Sequence, residues 1–117
     1  MIITLCGSVR FQEDMNEIAR RLTALGHCVF KPEAIGVKMD ETQKVLIGMV
    51  HAQKILRSDE VYIVRGNDYM GASTEAELIF AIRNKIKVAH IFLNGDRLRT
   101  TYIPYYVGMV SKSIQPM

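Results

Sequence analysis

The sequence predicts a single α/β domain over residues 1–117, with a parallel sheet of about five strands and helices on both faces. Two observations support this prediction. Short apolar runs alternate along the chain with longer segments whose apolar residues recur at helical spacing. Alternation of this kind gives parallel strands joined by right-handed crossovers. The composition, 49% hydrophobic and 23% charged residues, is that of an ordinary globular domain with enough residues for a core.

Most elements can be placed from apolar spacing and from the residues that begin and end helices. They are a strand from Ile2 to Cys6, a helix from Phe11 to Leu25, a strand from Cys28 to Phe30, a helix capped by Asp40 and running to about Arg57, a strand from Glu60 to Val64, a helix from about Thr74 to Asn84, and a strand from Lys87 to Phe92. The segment from Thr101 to Val107 is a candidate fifth strand, which Pro104 restricts to the sheet edge.

The first predicted helix has the clearest signals. Met15, Ile18, Leu22 and Leu25 share one face, and Gly26 ends the helix as a C-terminal glycine does. We therefore expect this helix to pack one face on the sheet.

The second predicted helix has apolar residues on more than one side. One apolar stripe consists of Val45, Met49, Ala52 and Leu56, and the apolar residues that fall away from it are Ile47, Val50 and Ile55. A helix that is apolar on several sides is either deeply buried or packed against another chain. In so small a domain we favour a subunit interface, and therefore a homodimer or a higher homo-oligomer.

Charge and hydropathy argue against two classes of partner. The net charge is +3, and the basic residues are scattered rather than interleaved with aromatics, so nucleic-acid binding is not expected. No apolar run is long enough to span a bilayer. Residues 1–6 lack the features of a signal peptide, which favours a cytoplasmic protein. Its two cysteines, Cys6 and Cys28, are then expected to be reduced and buried in strands.

The most informative segment runs from Tyr69 to Ala81, where a glycine-bearing loop leads into an apolar helix. Parallel sheets bind ligands outside the carboxyl ends of their strands. Two loops are expected to meet there, Gly7 to Arg10 and Asn67 to Ser73. The glycine, hydroxyl group and guanidinium of the first loop suit a phosphate or a carboxylate. A plain strand-to-helix turn explains that loop equally well.

Glu77 has two interpretations that the local sequence leaves open. The run Thr74-Glu-Ala-Glu77 matches a capping box, in which the glutamate accepts a hydrogen bond from the backbone N–H of the N-cap residue, here Thr74. In the other interpretation, Glu77 projects into the ligand crevice and acts as a nucleophile or a base.

No metal or organic cofactor is expected. His27, His51 and His90 are separated by spacings that match no zinc motif, and no cysteine pair assists them. The sequence contains neither a Walker loop nor a Gly-x-Gly-x-x-Gly fingerprint, which argues against nucleoside triphosphates and dinucleotides.

Three motifs occur in order along the chain. They are Leu5-Cys-Gly-Ser-Val-Arg10, His51-x-x-Lys54-Ile55-x-x-x-Asp59-Glu60-Val61, and Tyr69-x-Gly71-x-Ser73-Thr74-x-x-Glu77-Leu78-x-x-Ala81. Together they resemble the nucleoside 2-deoxyribosyltransferase-like superfamily, which includes deoxynucleoside 5′-monophosphate N-glycosidases. The resemblance covers residues 2–92. It implies a flavodoxin-like or Rossmann-like sheet of five strands and assembly into dimers or larger oligomers.

The resemblance also implies a reaction. Glu77 takes the place of the family's nucleophilic glutamate, which attacks C1′ of a 2-deoxyribosyl group as the bond to the base breaks. The resulting ester passes to water or to another base. The implied activity is therefore hydrolysis or deoxyribosyl transfer on a 2-deoxynucleoside or its 5′-monophosphate.

Substrate-binding positions follow from the same resemblance. Gly7, Ser8 and Arg10 match the family's substrate-holding loop, with Ser8 and Arg10 near the phosphate. Gly71 and Ser73 belong to the motif that carries the nucleophile, and we expect them beside the substrate.

The chain departs from the family pattern at three positions, one of which is Ile79, where a glycine often follows the family's Glu-Leu pair. Thr4 stands where characterised enzymes carry a tyrosine, and His51 stands where they carry an aspartate that orients the nucleophile. His51 is a candidate acid or hydrogen-bond donor, since imidazole titrates near neutrality, but a structural helix histidine is also consistent. Asp68 is a candidate replacement carboxylate, although Asn67-Asp68 is also ordinary turn chemistry.

These departures keep two other functions open. One is a non-catalytic module that binds a nucleotide or a nucleotide sugar. The other is an interaction protein in which the loop and helix of the Tyr69 to Ala81 segment are purely architectural.

Overall fold

A computed structural model describes residues 1–32, 38–64 and 70–103 of the chain. The elements are β1 (Ile2–Cys6), a 3₁₀ turn (Val9–Phe11), α1 (Gln12–Ala24), β2 (Cys28–Phe30), α2 (Glu41–Leu56), β3 (Glu60–Val64), α3 (Ala72–Arg83), β4 (Lys87–Asn94) and β5 (Arg97–Tyr102). The predicted α/β class is confirmed.

The strands form one sheet in the order β2-β1-β3-β4-β5. β1 pairs in parallel with β2 on one side and with β3 on the other, and β3 pairs in parallel with β4. This is the strand order of flavodoxin-like sheets, whose connections change direction between the first and third strands. The carboxyl ends of β1 and β3 therefore mark the place where such a sheet binds ligands.

β5 corrects the sequence prediction. It pairs antiparallel with β4 and begins at Arg97, so the sheet is mixed rather than wholly parallel. The predicted strand from Thr101 to Val107 overlaps it only at its end, and residues 104–107 lie outside the described residues. A tight turn at Gly95 and Asp96 joins the two strands. Gly95 has a φ of 63°, which glycine adopts without steric cost.

Helices cover both faces of the sheet, as predicted. On one face, α1 packs on the sheet through the cluster Ile3, Leu5, Met15, Ile18, Leu22, Tyr62, Val64, Ala89 and Ile91. On the other face, α2 and α3 contribute to the cluster Cys6, Ile55, Val61, Ile63, Ala81, Ile82, Val88 and Ile103. Successive residues of a strand point to opposite faces, so Leu5 meets α1 whereas Cys6 faces α2 and α3.

The ends of α1 and α2 follow their sequence signals. Gly26, with a φ of 97°, follows the end of α1. At the start of α2, Asp40 Oδ1 accepts from the Gln43 backbone at 2.8 Å, and Gln43 Oε1 accepts from the Asp40 backbone at 3.0 Å. This reciprocal pair is a capping box, which fixes where α2 begins.

The two cysteines differ in burial. Cys6 is buried, as predicted, but Cys28 is exposed, which corrects the prediction for that residue. β2 is an edge strand with β1 as its one neighbour in the sheet. Its side chains are therefore covered on fewer sides than those of β1.

α2 buries only His51 and Ile55 of its residues. Val45 and Met49 are each 60% exposed, and Leu46 and Val50 are more than half exposed. None of the helices in the described part of the chain has the length and apolar run that a bilayer crossing needs.

Candidate active site

The start of α3 decides between the two interpretations of Glu77. The helix begins at Ala72, with Gly71 as its N-cap in an extended conformation and no side-chain capping bond. Thr74 therefore lies inside the first turn, where it is buried, and it is not the first residue of a capping box. The capping interpretation of Glu77 is wrong because the helix starts before Thr74.

The Glu77 carboxylate instead faces two other elements. Its Oε2 lies 3.1 Å from Nε2 of His51 on α2. The same nitrogen lies 3.4 Å from Sγ of Cys6 at the end of β1. The three groups form what we call the Cys6–His51–Glu77 cluster, and their ligand-type atoms all lie within 4.8 Å of one another. The end of β1, the middle of α2 and the first half of α3 thus converge on one point.

Burial changes the protonation of this cluster. It raises the pKa of Glu77 to about 7, an effect that a hydrogen bond from Cys6 partly offsets. It lowers the pKa of His51 to about 4, and the nearby charge of Lys54 adds to this effect. The imidazole is therefore neutral at neutral pH, and its contact with Glu77 is a hydrogen bond rather than a pairing of full charges. Burial also raises the pKa of the Cys6 thiol, and the charge of Glu77 raises it further.

The two ends of the contact between His51 and Glu77 differ in accessibility. The side chain of His51 is 7% exposed and that of Glu77 is 27% exposed. Nδ1 of His51 is buried and has no hydrogen-bond partner among the described residues. Within the cluster, Glu77 is therefore the group that a small molecule can reach.

The loop after β1 lies beside this cluster. Gly7 fits where β1 and β3 end side by side, because a Cβ atom there would come within 2.7 Å of the Val64 carbonyl oxygen. The Ser8 hydroxyl oxygen accepts from the Arg10 backbone at 3.3 Å and caps the 3₁₀ turn. Ser8 therefore has a structural contact of the kind that a plain turn requires, and the side chain of Arg10 is exposed.

Two clefts are lined by predicted site residues, one by Gly7 and the other by Glu77. One, of about 240 Å³, is lined by Gly7, Val9, Gln12, Met15, Asn16, Lys31 and Pro32. The other, of about 170 Å³, is lined by Gly48, Ala52, Ile55, Ala76, Glu77 and Phe80. Gly7 and Glu77 thus lie near the same edge of the sheet but line separate clefts, where the sequence predicted a single crevice.

Two of the remaining predicted site residues, Gly71 and Ser73, lie at the start of α3. Ser73 is exposed and precedes Glu77 by one turn, so the two residues share a face of the helix. Gly71 immediately precedes the helix. Asp68 lies outside the described residues.

Thr4 has a structural role in the described fold. It is fully buried, and its hydroxyl group donates to the Lys54 carbonyl oxygen at 3.1 Å and also bonds to the Ser58 hydroxyl. These bonds hold the last turn of α2 against β1. Thr4 therefore helps to fix the helix that carries His51.

Sequence reasoning missed two polar groups near the site. Cys6 was expected to be only a small buried apolar residue, although its place before Gly7 at a strand end was a signal that it borders the site. Lys31 lines the larger cleft, where its Nζ donates to Asn16 Oδ1 at 2.7 Å. Its position just after β2, and so at the same edge of the sheet as Gly7, was the signal that could have identified it.

Two solved structures share this fold. One is a 2-deoxyribosyltransferase from the psychrotolerant bacterium Bacillus psychrosaccharolyticus, with a TM-score of 0.67 and 16% identity over 97% of this chain and 82% of that chain. The other is a conserved protein from Enterococcus faecalis V583, with a TM-score of 0.56 and 18% identity over 77% of this chain and 62% of that chain. No protein-family model matches the sequence, and no curated protein matches it. The chain therefore has a nucleoside 2-deoxyribosyltransferase-like fold.

Proposed function

We propose that the protein cleaves the base–deoxyribose bond of a 2-deoxynucleoside or its 5′-monophosphate, with Glu77 as the nucleophile. The observation that carries this proposal is the position of Glu77: it lines a cleft between α2 and α3, its carboxylate contacts His51, and no capping bond occupies it. The fold similarity to a 2-deoxyribosyltransferase supports the same substrate class.

The reaction runs in two steps. A Glu77 oxygen bonds to C1′ as the C1′–N bond breaks, and the base leaves with the bonding electrons and takes up a proton. Water or a second base then bonds to C1′, the ester bond breaks, and the carboxylate is restored. A partly buried carboxylate also stabilises the positive charge that develops on the sugar, because the surroundings screen the interaction less than water does.

His51 positions the nucleophile in this proposal. Its Nε2 contacts Oε2 of Glu77, which restricts rotation of the carboxylate and leaves Oε1 to react. His51 thus takes over the orienting task of the aspartate that stands at this place in the related enzymes.

The substrate is held by the loops around the cluster. Gly7, Ser8 and Arg10 contact the sugar or its 5′ group, and Gly71 and Ser73 approach from the start of α3. Asp68 completes the proposed set.

We also propose that the protein self-associates through the exposed apolar surface of α2. Val45, Leu46, Met49 and Val50 present an apolar surface with exposures between 52% and 60%. Contact with a second copy would remove this surface from water, which is favourable. We therefore propose a cytoplasmic homodimer or higher homo-oligomer that acts on small soluble nucleosides or nucleotides.

The direct test is an assay of base release. Purified protein is incubated with deoxynucleosides, with their 5′-monophosphates and with the matching ribonucleosides, and free base is separated and measured. We expect release from one or more 2-deoxy substrates, none from ribonucleosides, and loss of release in Glu77→Ala. Adding a second base distinguishes transfer from hydrolysis.

Two results would contradict the proposal. Release that is undiminished in Glu77→Ala would exclude this nucleophile. No release from any substrate, combined with a rise in melting temperature on adding nucleotide, would instead favour the non-catalytic binding module.

A further inference from the structure

We propose that Cys6, His51 and Glu77 form a binding site for one Zn²⁺ ion or a similar thiophilic divalent cation, with one coordination position left open. The prediction of no metal rested on the spacing of the histidines along the sequence. The three donors instead come from three separate elements, so their approach depends on the fold.

The distances within the cluster suit a tetrahedral ion. With ordinary zinc bond lengths, a nitrogen and a sulfur ligand lie about 3.5 Å apart, and a nitrogen and an oxygen ligand about 3.4 Å apart. The observed separations are 3.4 Å from His51 Nε2 to Cys6 Sγ and 3.1 Å from His51 Nε2 to Glu77 Oε2. The two separations that involve His51 Nε2 are therefore within a few tenths of an ångström of those that a tetrahedral ion requires, and all three donor atoms lie within 4.8 Å of one another.

The donor types select the kind of metal. A thiolate, an imidazole and a carboxylate suit zinc and other borderline-soft ions, whereas Mg²⁺ and Ca²⁺ prefer sites made of oxygen ligands alone. A thiolate and a carboxylate together carry two negative charges, which cancel those of a divalent cation. The loaded site is then neutral, as suits a location in which Cys6 is fully buried and His51 nearly so.

Binding requires proton release but no oxidation. The Cys6 thiol gives its proton to solvent, and so does any protonated Glu77 carboxyl group. His51 coordinates through Nε2, so its single proton moves to Nδ1, which is the buried ring nitrogen without a partner among the described residues. The metal–sulfur, metal–nitrogen and metal–oxygen bonds replace these protons.

Metal binding has a consequence that rests on the proposed function. The ion would occupy a carboxylate oxygen of the nucleophile and hold Glu77 toward α2 and β1. Zn²⁺ should therefore inhibit base release in proportion to site occupancy, and a chelator should restore it.

Cobalt titration of the full chain tests the site without relying on activity. Protein treated with a chelator and then freed of it is titrated with Co²⁺, whose thiolate charge-transfer absorption and d–d bands report sulfur ligation and four-coordinate geometry. We expect saturation at one ion per chain and displacement by Zn²⁺ but not by Mg²⁺. Cys6→Ala should abolish the charge-transfer band, and Cys28→Ala, at the exposed cysteine, should leave it unchanged.

A second variant keeps the test decisive if Cys6→Ala does not fold. Glu77→Gln alters a partly exposed side chain, and it should weaken Co²⁺ binding at least tenfold while circular dichroism is unchanged. Any of three results would overturn the proposal. The wild type could lack the charge-transfer band, Cys6→Ala could retain it, or Glu77→Gln could bind Co²⁺ with unaltered affinity. Cobalt binding, combined with no base release by the metal-free protein in the presence of a chelator, would refute the proposed function and leave the metal site standing. Base release by the metal-free protein, combined with no cobalt binding, would overturn the metal site and leave the proposed function standing.

Discussion

At the scale of single residues, the structure assigns Glu77 and Cys6 contacts that differ from those predicted from the sequence. Local sequence rules explain Glu77 as a helix cap, because Thr74-Glu-Ala-Glu77 has the right spacing. The helix begins earlier, which frees the carboxylate to meet His51. The contact with Cys6 was not predictable from either motif, since it depends on how α2 and α3 pack against the end of β1.

His51 offers the first residue-scale prediction. His51→Ala should lower kcat for base release by about 10- to 100-fold with little change in KM, because it removes the hydrogen bond that orients Glu77 but touches no substrate group. His51→Gln, whose amide can still donate to the carboxylate, should recover part of the loss. Steady-state kinetics in the presence of a chelator measures both.

The control for His51 is Gln53→Ala, at an exposed position on the same helix. It should leave both constants unchanged. An increase in KM alone for His51→Ala would place His51 in substrate binding and contradict its positioning role.

At the scale of elements, most boundaries follow from periodicity and from helix-ending residues. The glycine after α1 and Asp40 as the cap of α2 were predicted and are present in the structure. On the predicted apolar face of α1, Met15, Ile18 and Leu22 are buried, but Leu25 is 70% exposed, which corrects the prediction for that residue. The predicted fifth strand began too late because it followed the apolar run from Thr101 to Val107. The turn signal Asn94-Gly-Asp96, which marks a hairpin, places the start of the strand earlier.

The attachment of β5 gives a prediction at this scale. Glu60 Oε1 accepts from Tyr62 at 2.9 Å and from Tyr102 at 2.5 Å, which links β3 to β5 across β4. Tyr102→Phe should lower the free energy of unfolding by about 1 kcal/mol, because it removes a hydrogen bond to a charged acceptor at a partly exposed site. Urea unfolding measures the loss, and Thr101→Val, at an exposed position on the same strand, should cost much less.

The contribution of the Tyr102–Glu60 hydrogen bond to the free energy of unfolding depends on pH. The hydrogen bond to Glu60 raises the pKa of Tyr102, so the folded state holds the phenolic proton more tightly than the unfolded state does. The contribution of Tyr102 to stability is then fully present below about pH 10, the ordinary tyrosine pKa, and declines above it. The destabilisation caused by Tyr102→Phe should therefore shrink in alkaline urea titrations. A loss that stays constant or grows above that pH would contradict the sign.

At the scale of the whole molecule, the fold was predictable although the sequence identity to the solved structures is only 16% and 18%. Strand–helix alternation determines the layers, and the order β2-β1-β3-β4-β5 places the candidate site between β1 and β3. The division into two clefts was not predictable, because it depends on which face of β1 each side chain occupies.

Assembly gives the prediction at this scale. Met49→Glu places a charge in the middle of the exposed apolar surface of α2 and should convert the proposed oligomer into monomers. Size-exclusion chromatography with light scattering measures the mass. Leu25→Glu, at a leucine that is 70% exposed outside α2, is the matched control and should leave the mass unchanged. A monomeric wild-type protein at assay concentrations would contradict the interface.

The most direct test of the central claim is to trap the covalent intermediate. Protein mixed with a reactive 2-deoxynucleoside or its 5′-monophosphate is quenched in acid within a turnover and analysed by intact-protein and peptide mass spectrometry. We predict a mass increase of one deoxyribosyl group, or of its 5′-phosphate, on the peptide that contains Glu77, and no increase in Glu77→Gln. Base release without an adduct on that peptide, or an adduct that persists in Glu77→Gln, would contradict the assignment of Glu77 as the nucleophile.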